Sequence, residues 1–166
     1  MGSVKHPTDP GVEKDFADLL RLFNAHKVDY CIVGAFAVGF HAISRYTKDM
    51  DLLVRPDIDN GRRIIEALKE FGYVNVPFTP EDFSSEKIIV QLGYPPIRID
   101  LITSIEGCRF EQIWKNKKRG SYGSLTVHFI GLQDLIRNKK KVARPQDLAD
   151  LVILRKALRK RLKKSS

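Results

Sequence analysis

The sequence predicts an α/β (α+β) domain: a mixed sheet flanked by helices, ending in a basic helical C-terminus. Three observations carry this. Short runs of β-forming residues alternate with segments of helical periodicity, which calls for a sheet with helices packed on it. Two of the strands are separated only by Gly93-Tyr94-Pro95-Pro96, a hairpin connection that argues against a purely parallel, doubly wound sheet. The segment from Leu132 onward reads as helices rich in cations. The 166 residues, 43% hydrophobic and 30% charged, have the composition of one globular domain, with a core over about 28–131 and a C-terminal helical segment over about 132–164. A chain of this length buries enough surface to need no disulfide or structural metal.

The elements follow in order. Thr8 or Asp9 before Pro10 starts a first helix, and Phe16, Leu19, Leu20, Leu22 and Phe23 recur at helical spacing as far as Ala25. Tyr30–Val33 is a strand ended by Gly34, and a second helix runs over Ala35–Ile43. Met50–Val54 is a strand. Pro56 and Asp57 open a helix that carries Ile58, Ile64, Ile65, Leu68 and Phe71 and is closed by Gly72. Residues 77–86, with Pro77, Pro80 and two serines, read as a loop. Lys87–Leu92 and Ile97–Ile102 are strands that pair across the hairpin connection. A short helix over Phe110–Trp114, a strand over Leu125–Ile130, and helices over Leu132–Lys140 and Pro145 to about Leu162 complete the chain. No internal repeat interrupts it.

Several classes of protein are excluded early. Cys31 and Cys108 form no C-x-x-C pair and have no His at ligand spacing, so neither a zinc finger nor a disulfide scaffold fits. No stretch approaches the ~18 consecutive apolar residues of a membrane span, and Met1-Gly2-Ser3-Val4-Lys5-His6 has no apolar signal core, so a cytoplasmic chain with no membrane partner is expected. The formal net charge of +9 conceals a division. Residues 1–108 carry 12 Lys+Arg against 16 Asp+Glu, whereas residues 109–166 carry 17 against 4. Such asymmetry suits a polyanionic partner such as RNA, and equally a solvated helix whose cations complement its C-terminal dipole.

The sharpest chemical feature is Asp49-Met50-Asp51 at the head of a strand. Alternation puts both carboxylates on one face while Met50 and Leu52 point the other way. Two like charges repel without a cation, so the pair suits a hard divalent ion that leaves positions for water and substrate phosphate. Arg98-Ile99-Asp100 supplies another strand carboxylate. If the two strands are neighbours, Asp100 completes a cluster of three able to hold two ions and to take a proton from an attacking hydroxyl. The competing assignment has Asp49 capping the strand entry or pairing with Lys48, and Asp100 paired with Arg98 or Arg45. Upstream, Val33-Gly34-Ala35 is a strand-to-helix turn whose glycine permits close backbone approach and whose helix N-terminus offers N–H groups to phosphate oxygens.

Val33-Gly34-Ala35, a spacer of thirteen residues, Asp49-Met50-Asp51-Leu52, and the later apolar strand carrying Asp100 together resemble the signature of the DNA polymerase β-like nucleotidyltransferase superfamily. More narrowly, Ala37, His41, Arg45, Thr47 and Lys48 resemble the prokaryotic nucleotidyltransferase-like proteins grouped with abortive-infection and toxin–antitoxin nucleotidyltransferases. Lys141, Arg144, Asp147 and Asp150 are similar to that group's C-terminal motif. The resemblance spans roughly residues 30–154. It implies transfer of a nucleoside monophosphate from an NTP to a hydroxyl or similar acceptor with release of pyrophosphate. It implies Gly34, Ala35 and their backbone at the triphosphate, Asp49 and Asp51 as ligands of two Mg2+ ions (Mn2+ serving as well), and Asp100 as third ligand and base. Ala35 departs from the family's Gly or Ser, which removes a hydroxyl donor worth about 0.5–1.5 kcal/mol and leaves the backbone N–H.

The remaining candidates keep two readings each. Arg45 and Lys48 either clamp the triphosphate or neutralise the carboxylates. His41 reads as a packing or hydrogen-bonding histidine rather than a catalyst. Lys141 and Arg144 meet the triphosphate or acceptor if the helix junction folds over the sheet edge; otherwise Asp147 caps the last helix and Asp150 pairs with Arg144 or Lys141. Trp114 reads as helix packing. The run Arg155–Lys164 holds seven cations and no acid, inviting RNA or tRNA, yet lacks interleaved aromatics to stack on bases. Three functions are therefore carried forward. One is a nucleotidyltransferase acting on RNA, a protein hydroxyl or a small molecule. The others are a nucleotide-binding antitoxin or regulatory module with a protein partner, and a basic RNA-binding protein.

Overall fold

The computed structural model describes residues 13–44, 47–93 and 97–165. The expected helix start at Thr8–Pro10, the residues Tyr94-Pro95-Pro96 and the candidate Arg45 lie outside the described residues. In chain order the elements are α1 (Lys14–Ala25), β1 (Tyr30–Val33), α2 (Gly34–His41), β2 (Asp49–Val54), α3 (Ile58–Phe71), a 3₁₀ turn (Pro80–Ser84), β3 (Ile89–Leu92), β4 (Arg98–Ile102), α4 (Phe110–Asn116), β5 (Lys118–Tyr122), β6 (Leu125–Phe129), α5 (Leu132–Val142) and α6 (Pro145–Ser165). The six strands form one mixed sheet in the order β3-β4-β2-β1-β6-β5. Here β1 runs antiparallel to β2 and parallel to β6, β2 runs parallel to β4, and the β3–β4 and β5–β6 pairs are antiparallel. The expected mixed sheet flanked by helices is the fold observed.

Local chemistry accounts for most boundaries. Asp57 caps α3 by accepting from the Asn60 N–H at 2.7 Å, and Gly72 at φ +125° lets the chain leave the helix. The apolar positions of α1 and α3 face each other and the sheet, and Phe16, Leu20, Phe23, Ile64 and Leu68 are fully buried. α2 is apolar on nearly every side because it is wedged between β1, β2 and α6.

Two elements differ from expectation. The loop over 77–86 contains the 3₁₀ turn, stabilised by a capping box between Thr79 and Asp82. The sequence reading has no strand at Lys118–Tyr122, since Lys-Arg-Gly-Ser-Tyr shows no apolar alternation. The segment becomes an edge strand because the turn at Gly123 folds it back on β6, with Arg119 opposite His128. Gly120 is essential there. Phe40 and Phe129 stack with centroids 4.1 Å apart, and a Cβ at position 120 would lie 2.6 Å from the Phe40 ring.

His41 closes α2 in the role expected of it. Buried, it donates from Nε2 to the Ile130 carbonyl at 2.6 Å and accepts at Nδ1 from Arg161 of α6 at 3.0 Å. Burial pushes its pKa down to about 4, reinforced by the charges of Arg161 and Lys118 and opposed by the bond to Ile130. None of the described helices is long and apolar enough to cross a membrane.

The unfolded chain titrates His41 near 6.5, so between that value and about 4 the unfolded state binds the proton more readily. The stability contributed by neutral His41 is complete above pH 6.5 and is lost as pH falls toward 4, a change of roughly 3 kcal/mol. His41→Gln should flatten that part of the pH profile, as read from urea midpoints at pH 7.5 and pH 4.5.

Candidate functional site

The site is assembled by strand register. β2 and β4 pair in parallel with Asp49 beside Arg98 and Asp51 beside Asp100, so these four side chains share one face of adjacent strands. Antiparallel pairing of β1 with β2 puts Val33 beside Asp51, which brings the turn after β1 over that carboxylate. Gly34 occupies this turn with φ +67°, and a Cβ there would collide with Asp51 Oδ2. Only glycine satisfies both the left-handed backbone and the close approach. α2 starts at Gly34, where the N-cap residue Val33 makes no side-chain capping bond, so the positive end of the helix lies beside Asp51.

Burial is the largest influence on Asp51. With the charges of Asp100 and Asp49 it raises the pKa to about 6, against the opposing charges of Arg98 and Lys139. Asp100 is 9% exposed. Arg98 lies between the acids, with Nε 3.1 Å from Asp100 Oδ1, a terminal nitrogen 3.3 Å from Asp100 Oδ2, and the same end 3.5 Å from Asp49 Oδ2. The ion pairing of Asp100 with Arg98 that the sequence allowed is thus present. Among the described residues, no group of three His, Cys, Asp or Glu side chains is arranged to hold a metal ion. The donors themselves are of the kind a hard cation takes, carboxylate oxygens on adjacent strands, with both oxygens of Asp100 engaged by the Arg98 guanidinium.

The α5–α6 junction stands near the cluster, since Lys139 and Arg144 both exert charge on Asp51. Lys139 is 6% exposed and bridges Asp147 and Asp150 at 3.1 Å each, and these acids are 1% and 0% exposed. Arg144 adds bonds to Asp147 from its backbone N–H at 3.1 Å and from Nε at 2.8 Å. Burial alone would raise the Asp147 pKa, but the hydrogen bonds from Arg144 and Lys139 and the Lys139 charge hold it at about 2. Asp147 is not the N-cap expected of it: it is the third residue of α6, and from inside the first turn its side chain accepts the N–H of Arg144, the residue before the helix. Asp150 pairs with Lys139 and accepts from Gln146.

The candidates are placed as follows. Gly34, Asp49, Asp51 and Asp100 come together, with Ala35 next in the turn. Lys48 is exposed just before β2, its carbonyl accepting from the Arg98 N–H. Arg144 lies within electrostatic range of Asp51. Lys141 is not brought to the cluster: it is exposed, its Cβ beside the turn at Gly107, because two residues along α5 from Lys139 is more than half a helical turn. Lys139 stands in its place. The signal for it was in the sequence, since Leu132, Leu135 and Lys139 fall at i, i+3 and i+7, and extending the buried stripe of α5 lands on the lysine.

Two stability measurements check this arrangement. Lys139→Ala leaves Asp147 and Asp150 without their shared buried cation and should cost about 3–5 kcal/mol, whereas Lys141→Ala should change stability by no more than about 0.5 kcal/mol. Gly34→Ala should destabilise by about 1–3 kcal/mol through backbone strain and overlap with Asp51. Urea denaturation of the four proteins reads both.

Neither a family model nor a curated protein sequence matches the chain. Among solved structures, it is similar to the lincosamide antibiotic adenylyltransferase LnuA in its lincomycin-bound crystal structure. The TM-score is 0.58 at 17% identity, covering 93% of this chain and 98% of that one. The chain therefore has the fold of a nucleotidyltransferase.

Proposed function

We propose that this protein is a divalent-cation-dependent nucleotidyltransferase, transferring NMP from an NTP to an acceptor hydroxyl. The observation that carries the reading is the pairing of Asp51 with Asp100 on adjacent strands directly beneath the Gly34 turn. The shared fold with an adenylyltransferase supports it. In this reading the α2 N-terminus at Gly34 and Ala35 receives phosphate oxygens, Arg144 and Lys48 face the triphosphate charge, and Asp49, Asp51 and Asp100 hold Mg2+ or Mn2+. The ions would supply charge neutralisation at the phosphates and lower the acceptor's pKa. Asp100, the most enclosed of the three acids, takes the acceptor proton. The acceptor oxygen forms a bond to the α-phosphorus as the bond to the bridging oxygen breaks, and pyrophosphate leaves with that electron pair.

The acceptor class is proposed from charge. Arg155, Lys156, Arg159, Lys160 and Lys164 are exposed along α6, which suits an RNA, including tRNA. A small molecule is the alternative suggested by LnuA, and a protein hydroxyl a third. A second reading, a nucleotide-binding antitoxin or regulatory module without turnover, is favoured by Arg98 compensating the acids and by the missing hydroxyl at Ala35.

Purified protein incubated with each labelled NTP, Mg2+ or Mn2+, and separate pools of RNA, protein and lincosamide should transfer label to one pool. Asp49→Ala and Asp51→Ala should each lower the rate by roughly 10³-fold or more while leaving the fold intact by circular dichroism. Label bound but never transferred would favour the module. Undiminished transfer by both variants would end the enzymatic assignment.

A further inference from the structure

A cavity of about 470 Å³ opens where the α4–β5 junction, the start of α5 and the end of α6 meet. Its lining carries four cations, Lys115, Lys117, Lys118 and Arg161, against one acid, Asp134. That acid is already engaged: buried, it accepts from Gln112 at 2.9 Å and Asn116 at 3.2 Å and pairs with Arg137 at 2.8 Å. Among the described residues, no ion pair joins any of the four cations to a carboxylate. Two of them are held by neutral groups instead. Lys117 Nζ donates to the Trp114 carbonyl at 3.1 Å and lies 4.0 Å from the centre of the Trp114 ring. Arg161 donates to Nδ1 of the neutral His41 ring at 3.0 Å, and that ring is anchored to the Ile130 carbonyl. Such partners fix where a cation sits and leave its charge uncancelled. A concave surface lined by one sign of charge concentrates the opposite ion. The volume falls within the range of about 300–1,000 Å³ that small-molecule pockets occupy, and Leu158 with the exposed Leu162 gives one wall an apolar surface. There is room for a sugar or base beside a phosphate.

The topology sets this cavity a short way from the acid cluster. β1 and β6 are parallel with Ile32 beside Phe129, so Gly131 and the Gly34 turn stand at the same end of the sheet. Lys118, opposite Phe129 on β5, is three strands from Asp51 on β2, about 15 Å at a strand spacing of ~4.8 Å. α2 gives a similar measure, since from Gly34 to His41 it rises about 12 Å and ends at the Arg161 contact. An extended strand of a few nucleotides covers that distance. We propose that the cavity holds backbone phosphates of a single-stranded RNA acceptor, with an adjoining sugar or base against Leu158 and Leu162, while a nucleotide further along the strand reaches the acids. The inference rests on the RNA-acceptor reading of the transferase and adds the place where that RNA is held.

The test is binding of the full-length protein to a fluorescein-labelled single-stranded RNA of mixed sequence, read by anisotropy without NTP. Lys115 and Lys118 are exposed, so Lys115→Gln/Lys118→Gln removes two charges at little cost to the fold. Its affinity should fall roughly tenfold or more, and the slope of log affinity against log salt should become shallower by about 1.4, which is ~0.7 for each lost phosphate contact. Arg62→Gln/Lys69→Gln removes two exposed cations from α3 and should change affinity by no more than about twofold. With wild-type protein, RNA carrying 4-thiouridine should crosslink to the segments 115–118 and 158–165. An equal loss in the two double variants, or crosslinks confined to other segments, overturns the proposal in favour of a diffuse basic surface. Wild type that does not bind RNA overturns it too. So does an RNA affinity unchanged in Lys115→Gln/Lys118→Gln while binding to phosphatidylserine vesicles is lost, which would assign the cavity to a membrane surface. Failure of the transferase reading looks different: RNA is bound and crosslinked at the cavity, and no label is transferred to it.

Discussion

The parallel, in-register pairing of β2 with β4 is the constraint from which the rest of the site follows. It places Asp51 beside Asp100 with Asp49 one step along the same face, which gathers negative charge where the surrounding sheet is apolar. Such an arrangement does not persist uncompensated. Among the described residues, the structure sets cations against it by different routes: Arg98 from the same pair of strands, and Lys139 and Arg144 at longer range from the α5–α6 junction. The raised pKa of Asp51 follows from what is left over: burial, with the like charges of Asp100 and Asp49, outweighs these cations.

The C-terminal helices are therefore part of the site's electrostatics as well as a cover for the sheet. Lys139, Arg144, Asp147 and Asp150 form a charge-balanced network that ties α5 to α6 and holds the charges of Lys139 and Arg144 within range of Asp51. His41 makes a second tie, linking the end of α2 to β6 and α6 through Ile130 and Arg161. Because α2 begins at the Gly34 turn and ends at His41, one short helix connects that turn to the basic helix.

Much of the fold was legible because its signals are local. β1 and α3 are bounded by residues whose own chemistry sets the boundary, Gly34 in one case and Asp57 with Gly72 in the other. β5 was not legible, since Lys118 and Arg119 belong on an exposed edge and only pairing with β6 makes that segment a strand. At the site, the three acids and the glycine stood out by alternation and by the strand–turn–helix pattern. Lys139 was passed over for Lys141 within a run of three lysines. The run shows how many cations are present, and only the helical phase relative to the core shows which of them is buried.

The sequence by itself determined which groups carry charge, how they alternate along each strand, and where the backbone needs a left-handed turn, because these depend on residues close together in the chain. Only the tertiary structure decided that Asp100 stands beside Asp51, that Arg98 is set between Asp100 and Asp49, and that Lys139 rather than Lys141 is buried among acids. Those outcomes depend on strand register and on the packing of helices from distant parts of the chain. Both are settled by burying the whole core at once, and no local period encodes them.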